Sequence, residues 1–280
     1  VICSVLAASL NLMLGLPFVL GIPIPGRFGL AQGMLAWYVP AALSIASDYW
    51  RLAAIGTVAA GLGTVELAVF TSSYRIMWMC LIFSSAVAAA SAIKMGQAFG
   101  KGQHREGRGS ALLGLALALV GLMLLGLLVA AFPEHLAMLF SSDPTVIAEF
   151  KRVALPLAST AVSMNMQVAL EQTMVGMGRT NVVLGIGLIG SWAGQVPGVL
   201  LCTWLWRNDL VGLYTGVTIG YSLACLIYVG LLSTTNWQVI AEEALERSEK
   251  VDRAGEEGKK WSEKNGYRAP DTYGSFTDDD

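Results

Sequence analysis

The stretch LLGLALALVGLMLLGLLVAAF, residues 112–132, decides the fold class. An α-helix rises about 1.5 Å per residue, so this run spans roughly 30 Å, the thickness of a bilayer's hydrocarbon core. A helix on the surface of a soluble protein has one apolar stripe and one polar face. This run is apolar all round, so lipid or protein lies on every side of it. Outward from it, the uncharged stretches 1–26, 28–47, 76–93, 109–133, 180–206 and 210–241 are each close to or above spanning length. Shorter runs, 52–65 and 153–170, abut them across single charges.

The charge distribution agrees. Residues 242–280 hold 12 acids and 7 bases, half of all the charges in the chain. The remaining 241 residues hold 8 acids and 11 bases, about 8% charged, against roughly 25% in an ordinary soluble domain. The chain therefore divides into an apolar body of net charge +3 and an acidic tail of net charge −5. No basic stripe of the kind that binds nucleic acid is present. Glycine supplies 31 of 280 residues. Many fall inside the spans, as do Gly114, Gly190, Gly194, Gly216 and Gly220, where small residues let helices approach closely in lipid. We read an all-α, polytopic transmembrane helical bundle with spans near 1–21, 38–62, 66–98, 109–132, 148–176, 180–206 and 211–236. That is an integral, multi-pass membrane protein.

The loops set its orientation. Lys94, Lys101, Arg105 and Arg108 cluster around one loop and Arg179 lies in the next loop on the same side, which the positive-inside bias makes cytoplasmic. The opposite loops are acidic or mixed: Glu134, Asp143 and Glu149 with Lys151 and Arg152, then Arg207 with Asp209. Trp37, Trp204, Trp206 and Trp237 lie near span ends, where interfacial aromatics sit. The cysteines, Cys3, Cys80, Cys202 and Cys225, all fall in apolar segments without metal-ligand spacing and read as packing residues. His104 and His135 are isolated in loops. With no nucleophile–base pair, enzyme chemistry has no visible carrier, and no cofactor motif is present. The GMGR of residues 176–179 follows a membrane helix and reads as a turn. Residue 1 is Val, without a charged n-region or cleavage site, and a chain that opens inside an apolar span reads as a fragment. In the tail, VIAEEALERSEKVDRA (239–254) suits a short cytosolic helix. Beyond Gly255 the composition cannot bury a core and reads as disordered.

From Trp37 to Gln238 the chain resembles the C-terminal lobe of the multidrug and toxic compound extrusion (MATE) family, its eukaryotic branch in particular. VPAALSIASDYWRLAAIGTVAAGLGTVELAVFTSSYRI (39–76) resembles the family's seventh span and the start of its eighth. AVAAASAIKMGQAFGKGQHREGRGSA (86–111) resembles the end of span eight and the loop after it. LFSSDPTVIAEFKRVALPL (139–157) resembles the entry to span ten. VGMGRTNVVLGIGLIGSWAGQVPGVLL (175–201) resembles the loop into span eleven and that span's G-x-P. The NWQ of residues 236–238 also fits. VLAASLNLMLGLPFVLGIP (5–23) resembles the family's fifth span, and GRFGLAQGMLAW (26–37) the start of its sixth. The resemblance implies a remnant of the N-terminal lobe over 1–37, a C-terminal lobe of six helices over 38–240 and a cytosolic acidic tail over 241–280. Most of span six is missing by this reading, so spans five and seven both run outward with no returning span between them. A re-entrant stretch, a lost exon and an inverted first helix each resolve that conflict.

The resemblance further implies a secondary antiporter that exports organic cations or other xenobiotics in exchange for protons or sodium ions. Its membrane is the plasma or vacuolar membrane, and its missing partner is the N-terminal lobe. The alternative is an inactive truncated transporter or a membrane scaffold. An acid inside a membrane span costs roughly 2.5–3.5 kcal/mol on insertion scales, so it has a partner or a function. Asp48 falls on the family's membrane glutamate, which takes part in proton or cationic-substrate binding. The other reading of Asp48 is an ion pair with Arg51, three residues on along the same helix face. Trp50 belongs to the same cluster and either stacks on an organic cation or packs. Tyr74 matches the family, but the acid expected beside it falls on Arg75. A second acid of span seven falls on Ala53, and that of span ten on Met164. Glu171 lies about two turns after Met164 on a similar helix face, with Gln167 and Asn165 as polar neighbours. It either substitutes for the missing acid or is an interfacial acid beside Arg179. Arg75 is a candidate to neutralise Asp48 or Glu171. The candidate site is thus Asp48, Trp50, Tyr74, Gln167 and Glu171, with no metal and no catalytic residue.

Overall fold

The computed structural model describes residues 46–246 together with residues 249 and 253. The first span read from the sequence, the 1–37 remnant and the end of the tail lie outside the described residues. Among the described residues every regular element is helical. Helix α1 covers 46–62. It is followed by α2 (Thr64–Gly100), α3 (His104–Ala131), the short α4 (Pro133–Met138), α5 (Pro144–Gly176), α6 (Thr180–Trp206), α7 (Leu210–Thr234) and α8 (237–246). Helices α2, α3, α5, α6 and α7 are each long and apolar enough to cross a bilayer. The bundle is the polytopic helical membrane architecture that the apolar runs imply. The sequence does not announce α4, which sits in a loop and buries Ala137.

Burial orders the helices. In α5, 61% of the apolar window is buried, against 28% in α2 and in α3, so α5 is the central post. Helix α3 turns Gly107, Ala111, Gly114, Ala118, Leu122, Gly126 and Val129 inward. Those positions recur every three or four residues, the spacing of one helix face. Small residues on that face let the backbones close up. Leu113, Leu117, Val120, Leu124 and Leu128, each more than half exposed, face outward, as lipid-facing residues do.

Two caps at one end of the bundle hold the long helices in place. The Asp143 carboxylate accepts hydrogen bonds from the Thr145 hydroxyl and backbone N–H at the start of α5, and these hold its carboxyl below the usual carboxylate range. Asp209 caps α7 by accepting from the Gly212 N–H at 2.9 Å. Its other oxygen takes Arg152 at 2.6 Å and Arg207 at 2.8 Å. Replacing such a cap with Ala typically costs about 1 kcal/mol. Asp209→Ala is expected to lose at least about that much, read as a lower thermal midpoint, whereas Asp209→Asn keeps the cap and loses less. The turns after α2 and α5 use Gly102 (φ 72°) and Gly178 (φ 79°), a left-handed conformation that glycine adopts without a Cβ penalty. The second of these is the GMGR turn.

Helix α6 departs from a regular α-helix at two places, Ile189–Gln195 and Cys202–Trp206, which are π-helical. Within the first of these segments and between the two, glycines bring α6 onto α7. A Cβ at Gly198 would lie 2.8 Å from the Gly216 carbonyl oxygen, one at Gly194 would lie 3.3 Å from Gly220 Cα, and one at Gly190 would lie 2.9 Å from Ala224 Cβ. At Gly198 a Cβ would run into the Gly216 backbone, so nothing larger than glycine fits there without moving the helices apart. After α7, α8 folds back onto the end of the bundle that holds the turn between α2 and α3. Trp237 meets Phe99 with ring centroids 6.3 Å apart, and Ile240 and Ala241 are buried.

Candidate functional site

Four helices turn one face each toward a common hollow. From α1 come Asp48, Tyr49, Arg51 and Leu52, and from α2 come Tyr74, Trp78 and Leu81. From α5 come Met164, Gln167, Val168 and Glu171, and from α7 comes Tyr221. The spacings within each helix are the three- and four-residue steps of a single face. The hollow has a volume of about 370 Å³, within the range of small-molecule sites. A second hollow of about 20 Å³ lies between Ser47, Asp48, Gln167, Glu171, Gly187, Leu188 and Ser191.

Arg51 is the hub. Its side chain is only 10% exposed, while that of Asp48 is 58% exposed. The guanidinium donates to Tyr221 Oη at 2.7 Å, to Asp48 Oδ1 at 3.0 Å and to Gln195 Oε1. The network ties α1 to α6 and α7 across more than 140 residues of sequence. The second acid is held differently. Glu171 Oε1 accepts from Gln167 Nε2 at 2.7 Å and from Tyr228 Oη at 3.2 Å, and both donors are neutral. Among the described residues four buried polar atoms have no hydrogen-bond partner: Arg51 Nε, Tyr74 Oη, Gln167 Oε1 and Gln195 Nε2. Three of these residues line the hollow and the fourth bonds Arg51. Buried polar groups are almost always paired in folded proteins, so their gathering at one place marks the polar centre of the bundle.

The structure brings Asp48, Tyr74, Gln167 and Glu171 together. Trp50 does not line the hollow and is half exposed. It is two residues from Asp48, and two residues turn a helix by about 200°, so it points to the opposite side. Tyr49 and Trp78 line the hollow as aromatics in its place. Arg75 is exposed and pairs with neither Asp48 nor Glu171. The base beside Asp48 is Arg51, because three residues keep both on one face and one residue takes Arg75 off the Tyr74 face. Glu171 is not beside Arg179 but turned inward. Asn165 leaves the site altogether, accepting from Ser84 on α2 at 3.0 Å. Sequence reasoning missed Gln195, Tyr221 and Tyr228. Gln195, fully buried, is an amide in the middle of an uncharged span, and a polar side chain at that depth is the signal that could have found it.

A family profile described as MatE matches residues 40–201, more than half of the chain. The chain belongs to the MatE family. Its likeness to individual members is remote. It is 24% identical over 211 residues to mouse multidrug and toxin extrusion protein 2, covering 75% of this chain and 37% of that one. It is 24% identical over 219 residues to Arabidopsis thaliana protein DETOXIFICATION 33, covering 77% and 45%. Among solved structures it superimposes on a eukaryotic MATE transporter, AtDTX14, with a TM-score of 0.73 and 19% identity. That match covers 81% of this chain and 51% of the other. The chain thus spans less than half the length of the curated relatives it matches. Within the family fold, Met164, in the place of the expected span-ten acid, lines the hollow while only 7% exposed.

Proposed function

We propose that this chain is the C-terminal-lobe portion of a MATE antiporter that exports organic cations or other xenobiotics in exchange for protons or sodium ions by alternating access. The observation that carries the reading is the hollow itself. It pairs two carboxylates, Asp48 and Glu171, with the aromatic walls of Tyr49, Tyr74, Trp78 and Tyr221. Aromatic faces and carboxylates together suit a bulky cation. In this assignment Asp48, Tyr74, Gln167 and Glu171 bind substrate or coupling ion. The lobe is 38–240, the 1–37 segment belongs to the other lobe and the acidic tail is cytosolic. The working unit includes an N-terminal lobe, and relatives of about twice the length accord with that.

The test is uptake of a fluorescent organic cation, driven by a pH jump, in vesicles bearing the full-length protein. Wild type accumulates the dye. Glu171→Gln is expected to lower the initial rate by about tenfold, the equivalent of ~1.4 kcal/mol. Unchanged uptake in Asp48→Asn would remove Asp48 from the site. A second reading, an inactive product or membrane scaffold, draws on one observation: Arg51 already neutralises the acid that falls on the family glutamate. Substrate flux through these 280 residues expressed alone defeats that reading.

A further inference from the structure

The two ends of the bundle treat their cations differently. At the outer end Lys151 pairs with Glu134 at 2.6 Å, and Asp209 takes Arg152 and Arg207. At the inner end Lys94, Lys101, Arg105 and Arg108 are all exposed, and none makes an ion pair among the described residues. Backbone geometry places these four at one end of the α2–α3 pair. Ser91 on α2 donates to the Ser110 carbonyl on α3 at 2.8 Å, and a Cβ on Gly107 would run into the Phe99 ring. That antiparallel register sets Lys94 level with Arg108. Arg105 lies about one turn further in and Lys101 about two turns beyond Lys94. Glu106, exposed in the first turn of α3, is the acid among them. The end of α2 and the start of α3 thus carry four positive charges and one negative, and α8, whose Leu245 lies 3.8 Å from a Cβ placed on Gly102, brings the exposed Glu242 and Glu246 to the same end of the bundle.

The patch continues directly into a lipid-facing surface. Arg108, Leu112, Ala116, Leu119, Met123 and Leu127 follow one another at three- and four-residue steps. Leu112, Leu119, Met123 and Leu127 are 50%, 43%, 59% and 64% exposed, while Gly107, Ala111, Gly114, Ala118 and Leu122 of the same helix face inward. From Arg108 to Leu127 the helix rises about 28 Å, close to the hydrocarbon thickness of roughly 30 Å. The bases therefore stand at headgroup level, where the apolar stripe ends. Arginine's planar fork matches two phosphate oxygens at once.

We propose that Lys94, Lys101, Arg105 and Arg108 form a headgroup site for an anionic phospholipid whose acyl chains lie along the stripe from Leu112 to Leu127. The inference is independent of the transport reading. It needs only the bundle and its orientation in the bilayer. An anionic lipid satisfies both halves of the surface: its phosphate meets the bases and its chains cover the leucines. A zwitterionic lipid brings its own ammonium and meets the excess positive charge poorly.

The test uses the full-length protein in nanodiscs of phosphatidylcholine with a minor fraction of phosphatidylglycerol, with retained lipid counted by native mass spectrometry. Wild type is expected to retain phosphatidylglycerol selectively. Each base near an anionic surface contributes about fivefold in binding, so Arg105→Gln with Arg108→Gln is expected to cut the selectivity by roughly 25-fold with little change in thermal midpoint. Lys151→Gln with Arg152→Gln at the outer end leaves the selectivity in place. Water-soluble glycerol phosphate does not compete, because it lacks the chains. Equal retention by the inner-end variant and wild type overturns the proposal, as does an equal loss in the outer-end variant. Effective competition by glycerol phosphate makes the patch a site for free phosphate and also overturns it. So does a many-fold rise in lipid retention when residues 256–280 are removed, which would make the acidic tail the occupant.

Discussion

Arg51→Leu is expected to destabilise the lobe by about 3 kcal/mol, since two buried partners lose the guanidinium at about 1–3 kcal/mol each. For a lobe of about 200 residues that corresponds to a fall in thermal midpoint of roughly 6–12 °C. The effect comes less from the Asp48 contact, since that carboxylate is largely exposed, than from the inner partners. Tyr221 and the fully buried Gln195 both give up the guanidinium, and a buried polar group left without a partner costs about 1–3 kcal/mol. Arg51→Lys is expected to recover little. An ammonium is a point charge and cannot hold the fork geometry that reaches Asp48, Tyr221 and Gln195 together. Arg75→Leu is the control. Arg75 is exposed and makes no ion pair among the described residues, so its loss leaves the midpoint nearly unchanged. A midpoint for Arg51→Leu within a degree of wild type would show that the network carries no stability.

Gly216→Leu is expected to abolish folded protein, read as the loss of a monodisperse peak in detergent. A Cβ at Gly216 would strike the Gly198 carbonyl group and Val199 Cα. All of these are backbone atoms, which cannot rotate away as a flexible side chain would. Overpacking against side chains typically costs about 1–3 kcal/mol. Here the two helices must separate, and the seam that positions Gln195 opposite Arg51 opens with them. Gly185→Ala tests an added Cβ on the same helix pair where there is room, since nothing lies within 4 Å of it. In a helix Ala is favoured over Gly by roughly 0.5–1 kcal/mol, so that variant is expected to fold at least as well as wild type. A normal peak from Gly216→Leu would mean that the α6–α7 seam is looser than its geometry implies.

Much of the fold is legible in the chain because a bilayer leaves few options for backbone. With no water to satisfy N–H and C=O groups, an apolar run of spanning length must be helical. The readings 66–98, 109–132, 180–206 and 211–236 accordingly lie within a few residues of α2, α3, α6 and α7. The π-helical segments of α6 were not legible. A π-turn is chosen by what the helix packs against, here a run of glycines on α7, and leaves no periodicity of its own in the sequence. The candidate site was legible in part. Charges and amides in apolar spans stand out, and this picked out Asp48, Gln167 and Glu171. Their partners did not stand out. Tyr221 and Tyr228 read as ordinary span residues, and only the fold turns their hydroxyls toward Arg51 and Glu171. Trp50 shows the converse. Its closeness in sequence to Asp48 suggested a shared role, and helix geometry separates them.

By itself, then, the sequence determined the environment and the inventory: a helical membrane bundle and a small number of polar residues that must be accounted for inside it. These follow from composition, run length and the cost of charge in lipid, which act locally along the chain. Only the tertiary structure decided the pairings. It joined Arg51 to Asp48, Tyr221 and Gln195, and left Glu171 with neutral donors alone. It also set Lys94 level with Arg108. Which polar group meets which depends on helix rotation and register, and those are fixed by glycine contacts such as Gly198 on Gly216 between segments far apart in sequence.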